Sequence, residues 1–160
     1  MPEKTAYLIR AQETVEKEGN FSHPWNPNSL VKMVSFSQLT GLKRTDVSLA
    51  KIPPGKESFI YHSHYREEEW IYILSGKGIA EIDREQYEVE QGDFMGFPTP
   101  GVAHHLRNPY EDELMYLVGG ENVEVEIADF PNLKRRMIRY PDKVETFDWS
   151  DDKGFGFLEE

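Results

Sequence analysis

Cysteine is absent from this 160-residue sequence, which excludes disulfide frameworks, thiolate metal ligands and cysteine nucleophiles. Positive charge is scarce as well. The chain has 18 lysines and arginines against 29 aspartates and glutamates, a formal net charge of −11. Nucleic-acid binding needs a basic footprint that neutralises phosphates, and an anionic membrane surface attracts basic segments. Neither partner is expected. Long hydrophobic runs are missing too: "MPEKTAYLIRAQETVEKEGN" at the start has no apolar core of signal-peptide length. No later run reaches the roughly 20 residues of a membrane-crossing helix. A soluble, cytoplasmic protein is the expectation. Much of the acidity lies at one end, where residues 141–160 hold seven acids against Lys143 and Lys153. Bulk charge therefore describes a solvated tail more than a site.

What is present has β texture. Hydrophobic residues make up 38% and aromatics 12% of the chain, too rich for disorder, and the length fits one domain. Residues 5–17 read as a short helix with a ragged stripe of Tyr7, Leu8, Ile9 and Val15. "GNFSHPWNPNSL", from Gly19, is turn chemistry. From Lys32 on, β-branched and aromatic segments alternate with glycine, proline and acidic turns. The expected strands are Lys32–Ser37, Thr45–Ile52, Ser58–His62, Glu69–Leu74 and Gly78–Asp83. Gln86–Glu90, Phe94–Phe97, Ala103–Arg107, Glu113–Val118 and Val123–Ile127 follow. Turn signals recur about every ten residues, the mark of an antiparallel sandwich or barrel. "NLKRRMIRY" adds a last strand or helical turn that Pro141 ends. The division is an N-terminal arm over residues 1–31, an all-β domain over 32–128 and a C-terminal extension over 129–160.

The stretch "YHSHYREEEWIYILSG", Tyr61 to Gly76, carries the chemistry. Residues two apart in a strand face the same way, so His62 and His64 point together. The five residues from His64 to Glu69 reverse that parity, so "YREE" must bend if Glu69 is to join them. A third imidazole stands far along the chain in "FPTPGVAHHLRNP", where His104 opens a strand and His105 takes the opposite face. Three imidazoles and a carboxylate suit a divalent transition metal such as iron, manganese, nickel, copper or zinc. A lone strand histidine is more often a hydrogen-bonded structural residue, the role assigned to His23 and His105. A glutamate run is most often a solvated face, the role assigned to Glu67 and Glu68.

The spacing points further. Gly55, His62, His64, Glu69 and Gly76 resemble the first motif of the cupin superfamily, including His-x-His-x4-Glu-x6-Gly. Gly92, Asp93, Pro98, Gly101, His104 and Asn108 resemble its second, including His-x3-Asn. Gly55 stands one residue further from His62 than usual, and the Pro98-to-Gly101 turn carries one extra residue; both departures fall in loops. The likeness covers about residues 45–120. "HPWNPN", "TGL" at Thr40–Leu42 and "RYPD" at Arg139–Asp142 are similar to a group of small single-domain bacterial cupins. The resemblance implies a double-stranded β-helix, a jelly-roll barrel, with His62, His64, Glu69 and His104 projecting inside as metal ligands.

With Glu69 inward, parity turns Ile71 inward and sends Trp70, Tyr72 and Leu74 to the other face. That outer face is expected to be covered by the Trp25 arm, by the Phe147 and Trp149 tail, or by a second subunit; mostly dimeric cupins favour a homodimer. By the same count Ile60 joins His62 and Leu106 joins His104. A pocket walled by Ile60, Ile71 and Leu106 suits a small organic molecule coordinated through oxygen, and not a sugar phosphate, since parity places no lysine or arginine inside. The functional expectation is a metal-dependent enzyme of dioxygenase, decarboxylase or isomerase type, with Glu69 as the one candidate catalytic base. The alternative is a non-catalytic binding or sensor module.

Overall fold

The structure, a computed structural model, describes residues 6–149. Its first elements are α1 (Ala11–Glu16), β1 (Gly19–Phe21), β2 (Val31–Ser35), α2 (Phe36–Thr40) and β3 (Thr45–Ile52). The central ones are β4 (Ser63–His64), β5 (Glu69–Ser75), β6 (Lys77–Ile82), β7 (Glu85–Glu90), β8 (Phe94–Phe97) and β9 (His104–Arg107). The last are β10 (Leu114–Glu121), β11 (Glu126–Phe130), β12 (Arg135–Arg139) and β13 (Val144–Asp148). The expected all-β jelly roll is found. Strands run β1-β2-β3-β10-β5-β8 in a six-stranded sheet, β7-β6-β9 in a three-stranded one and β13-β12-β11-β4 in a four-stranded one. Among the described residues no helix is long and apolar enough to cross a membrane.

Period-2 alternation explains where the core sits. Ala50 and Ile52 of β3, Ile71 and Ile73 of β5, and Leu114 and Tyr116 of β10 turn to one interior, where Ala80, Met95, Phe97 and Leu106 meet them. Ile52, Ile73 and Leu114 are wholly excluded from solvent, each contributing about 1.5–3 kcal/mol by its burial. They mark the deep end of the barrel; Glu69 and Gly120, paired across β5 and β10, mark the mouth. Gly76, at φ 80°, turns β5 into β6, and a Cβ there would lie 2.4 Å from the Glu113 carbonyl oxygen. Only glycine fits that turn.

The arms add strands. β1 pairs with β2, and β12 and β13 extend β11 as a hairpin. Trp25 packs edge-on against Phe130 at 5.1 Å, in a small second core with Ile60, Ala128 and Met137. It therefore does not cover the outer face of β5. Phe147 and Trp149 lie half exposed in and beside β13, in another sheet. On the outer face Trp70 stacks on Phe94, while Tyr72 remains 40% and Phe94 63% exposed. The sequence reading missed α2, because the β2 pattern runs on through Phe36. The Ser35 hydroxyl accepts the Gln38 N–H at 3.2 Å, and Gly41 in the left-handed region closes the helix.

Candidate metal centre

Backbone pairing brings the histidines together. His62 and His104 exchange hydrogen bonds: the His62 N–H donates to the His104 carbonyl at 3.1 Å, and the reverse bond is 2.8 Å. Next to them β4 pairs with β11 through Ala128 and His64. The Gly101 N–H donates to the His64 carbonyl at 2.6 Å; a Cβ on residue 101 would come within 2.8 Å of that oxygen. The bend anticipated in "YREE" is present, since no ladder joins β4 to β5 and Glu69 reaches the same volume as the histidines.

Donor atoms converge at the mouth. His62 Nε2 lies 3.1 Å from His64 Nε2 and 4.0 Å from Glu69 Oε2. His64 Nε2 is 2.8 Å from Glu69 Oε2, and His104 Nε2 is 3.5 Å from Glu69 Oε1. An ion with bonds of about 2.1 Å separates neighbouring ligand atoms by about 3.0 Å and opposed ones by about 4.2 Å. The donor atoms of His62, Glu69 and His104 all lie within 4.8 Å of one another, a spacing that suits one such ion, with His64 Nε2 beside His62 and Glu69 but outside that group. Two second contacts set the imidazoles: His62 Nδ1 donates to the Ile60 carbonyl at 2.6 Å, and His104 Nδ1 to the Val102 carbonyl at 3.1 Å. Each Nε2 therefore presents its lone pair inward. His104 Nε2 is buried with no hydrogen-bond partner among the described residues, and its ring stacks on Phe97 at 3.6 Å. An orphaned buried nitrogen facing two imidazoles and a carboxylate matches the donor chemistry of a transition-metal site.

The electrostatics follow from this crowding. Burial, then the charge of His104, pushes His62 down to about 3, so it is neutral at ordinary pH. Burial opposes the charged form of His64, but the Glu69 hydrogen bond and carboxylate charges outweigh it and raise its pKa. Burial would likewise raise Glu69, yet contacts from His104 and His64 prevail and hold it well below the usual carboxylate range. Glu69 is ionised.

A second group, His64, Glu67 and Glu126, also has donor atoms within 4.8 Å of one another, but its carboxylates are engaged. Glu67 pairs with Arg139 at 2.5 Å and accepts the Val123 N–H at 3.0 Å. Glu126 accepts backbone N–H groups from Tyr65, Arg66, Glu67 and Ile127. Glu67 is thus buried rather than solvated, correcting the sequence reading; Arg139, far along the chain, is the partner the glutamate run could not reveal. Glu68 is exposed. His105 lies 4.0 Å from Glu57, and His23 accepts the Trp25 N–H at 3.2 Å; neither joins the donor group.

Inside the mouth lies a cavity of about 50 Å³ lined by Phe59, Ile71, Phe97, Leu106, Tyr116 and Val118 together with His62, Glu69 and His104, while His64 faces the outer mouth. Ile71 and Leu106 stand where parity put them, but Ile60 does not. Residues 58–61 form no regular strand, so Ile60 swings to the second core and Phe59 takes its place. Tyr116 is buried, and its hydroxyl makes no hydrogen bond with another described residue. Burial, reinforced by the Glu69 charge, raises its pKa. Its alternation with Leu114 was legible in sequence, yet nothing there set which face turned inward. Outside, a mouth of about 280 Å³ is rimmed by Asp46, Glu67, Glu68, Glu121 and Arg139.

Comparison with known proteins accords with this geometry. Residues 48–120 match the model of the Cupin domain family. A crystal structure from Acidithiobacillus ferrooxidans, provisionally named a sugar phosphate isomerase, is 35% identical with TM-score 0.87, covering 96% of this chain and 97% of that one. The chain belongs to the cupin superfamily. A cupin-superfamily structure from Silicibacter pomeroyi named sugar phosphate isomerase shares the fold, with TM-score 0.75 and 17% identity over 84% of this chain and 90% of that one. An uncharacterized protein of Methanocaldococcus jannaschii is 37% identical over 68 residues. That match takes in 42% of this cupin and about half, 52%, of the archaeal protein's length.

Proposed function

We propose that this cupin is a metal-dependent enzyme that binds a divalent transition metal through His62, His64, Glu69 and His104 and acts on a small, oxygen-chelating organic molecule. The observation that carries the reading is the convergence of these donors where an apolar cavity meets the mouth. The metal would supply Lewis-acid or redox chemistry of dioxygenase, decarboxylase or isomerase type. The chain supplies the rest. Phe59, Ile71 and Leu106 exclude water, and Tyr116 offers a hydroxyl to a ligand oxygen. Glu69 is the candidate base, in a role that requires it to give up the metal and the His104 and His64 contacts that keep its pKa low.

The mouth argues about charge. Among the described residues that line it, the one arginine or lysine, Arg139, is already paired with Glu67, while Asp46, Glu68 and Glu121 add negative charge. Phosphate recognition needs available cations or an open helix N-terminus. An uncharged polyoxygen substrate fits better than a sugar phosphate, whatever the name of the similar Acidithiobacillus protein. The test is metal analysis of protein from its native source. Dioxygen-uptake and product screens against catechols and diketones would follow, with keto acids and a sugar phosphate as parallel anionic arms. One iron or manganese per chain with turnover supports the enzyme. Bound metal with no turnover in any arm leaves a binding module, and faster turnover of the phosphate overturns the charge argument.

The partly bare outer face of Trp70, Tyr72, Leu74 and Phe94 supports a homodimer, since apolar patches of this kind are unusual on monomers. Light scattering at micromolar concentration is expected to give about twice the 18.6 kDa chain mass. A monomer there refutes it.

A further inference from the structure

Glu126 is 1% exposed, and among the described residues no lysine or arginine forms an ion pair with it. A buried, unpaired carboxylate is costly unless hydrogen bonds satisfy it. Its bonds all lead to backbone. Oε1 accepts the N–H groups of Tyr65 at 3.0 Å, Arg66 at 3.1 Å and its own neighbour Ile127 at 2.7 Å. Oε2 accepts the Glu67 N–H at 2.5 Å. Three of these donors belong to the bend between His64 and Glu69, and those three amides have no strand partner across a ladder, apart from a bond of the Tyr65 N–H to the Ile127 carbonyl at 2.9 Å. The bend exists to undo the parity that would otherwise turn Glu69 away from His64.

The geometry points to Glu126 as a positioning residue for the metal centre: by gathering the Tyr65, Arg66 and Glu67 amides on one carboxylate, it sets the bend that makes His64 and Glu69 face one ion. Resting on the metal-site reading above, it adds a residue some 60 positions along the chain. Charge-assisted bonds to N–H groups are stronger than neutral ones, so an anion suits this place where an amide does not. Glu126→Gln preserves shape but turns an acceptor into a donor aimed at N–H groups. Either orientation of the amide breaks at least one of these bonds.

The test titrates Co2+ alone into wild type, Glu126→Gln and the exposed control Glu124→Gln, following visible absorption, with circular dichroism and amide hydrogen exchange beside it. Wild type and Glu124→Gln are expected to bind one Co2+ per chain with the same spectrum. Glu126→Gln should bind about 10- to 100-fold more weakly, the span typical of groups that orient metal ligands. Its absorption bands should shift, and exchange should quicken at residues 65–67 while the β5–β10 ladder stays protected. Wild-type affinity and spectrum in a folded Glu126→Gln overturn the inference. Failure of wild type itself to bind Co2+ overturns the metal reading and this inference together, and is recognised because all three proteins then fail. Should Glu126→Gln not fold, the wild-type amides decide. Protection at Tyr65, Arg66 and Glu67 comparable to the ladder supports the carboxylate hold, and free-loop exchange there refutes it.

Discussion

The two ends of this barrel solve the burial problem in opposite ways. At the deep end Ile52, Ile73 and Leu114 fill the space between β3, β5 and β10 with no solvent exposure. Any apolar side chain of similar volume would serve nearly as well there. At the mouth His62, His64 and Glu69 keep just under a fifth of their side-chain surface, and every polar atom needs a specified partner. Some partners are backbone carbonyls, some are remote side chains such as Glu126 and Arg139, and among the described residues His64 Nδ1 and His104 Nε2 have none. Stability is therefore concentrated at one end and chemical specificity at the other, within the same strands: β5 begins at Glu69 and passes Ile73 four residues on.

The sharpest break in that contrast comes from the deep end. Leu114→Ala is expected to cost about 2–5 kcal/mol of stability, the range for large-to-small core changes, while leaving metal affinity per folded molecule unchanged. Denaturant melts and metal titration of the same sample check both halves. The mirror experiment is His104→Ala, which should lower metal affinity on the order of 100-fold, about 2.8 kcal/mol, with His105→Ala as control. Equal metal content in the two variants would remove His104 from the site.

Acidity gives a third handle. His64 has a raised pKa, so it carries a proton in the metal-free protein below that raised value, and a metal must displace it. Affinity should fall at least tenfold per pH unit below the His64 pKa, the loss that this one proton alone imposes. His62, held at about 3, and the ionised Glu69 add no competing proton in that window. Titrations at several pH values that show flat affinity would contradict the proton count. The smallest effect is expected from Tyr116→Phe. It should weaken acetohydroxamate binding to the metal-loaded protein by about tenfold, the worth of one hydrogen bond, without altering metal affinity. An equal loss of metal would place Tyr116 in the structural half of the comparison.

How much of this was legible in the sequence divides along the same line. Alternation located β3 at Thr45–Ile52 and β8 at Phe94–Phe97 to the residue, and β5 to within one, because a two-residue period is written locally. It failed at residues 58–62. There the chain makes only an isolated bridge at His62, so parity counted through Ile60 gave the wrong face. Glu67 and Glu126 were illegible for a different reason. Their roles depend on Arg139 and on the Tyr65–Glu67 amides, 59 or more residues away, and no local pattern encodes such meetings. The glycine and histidine spacings stood out because turn geometry and ligand parity are both local constraints.

The pairing of β6 with β9 sets Ile82 opposite His104 and Glu81 opposite His105. Adjacent histidines on a strand make that register unusually consequential. A one-residue slip would present His105 to the interior and carry His104 out, and the strand's apolar pattern opposes it as well, since Leu106 would give up its buried place to Arg107. On the proposed reading an ion at the mouth distinguishes the two alignments directly, because only one of them completes its ligand set. Metal present during refolding would then act as a proofreader of strand alignment, trapping chains threaded correctly and leaving misaligned ones free to unpair and try again.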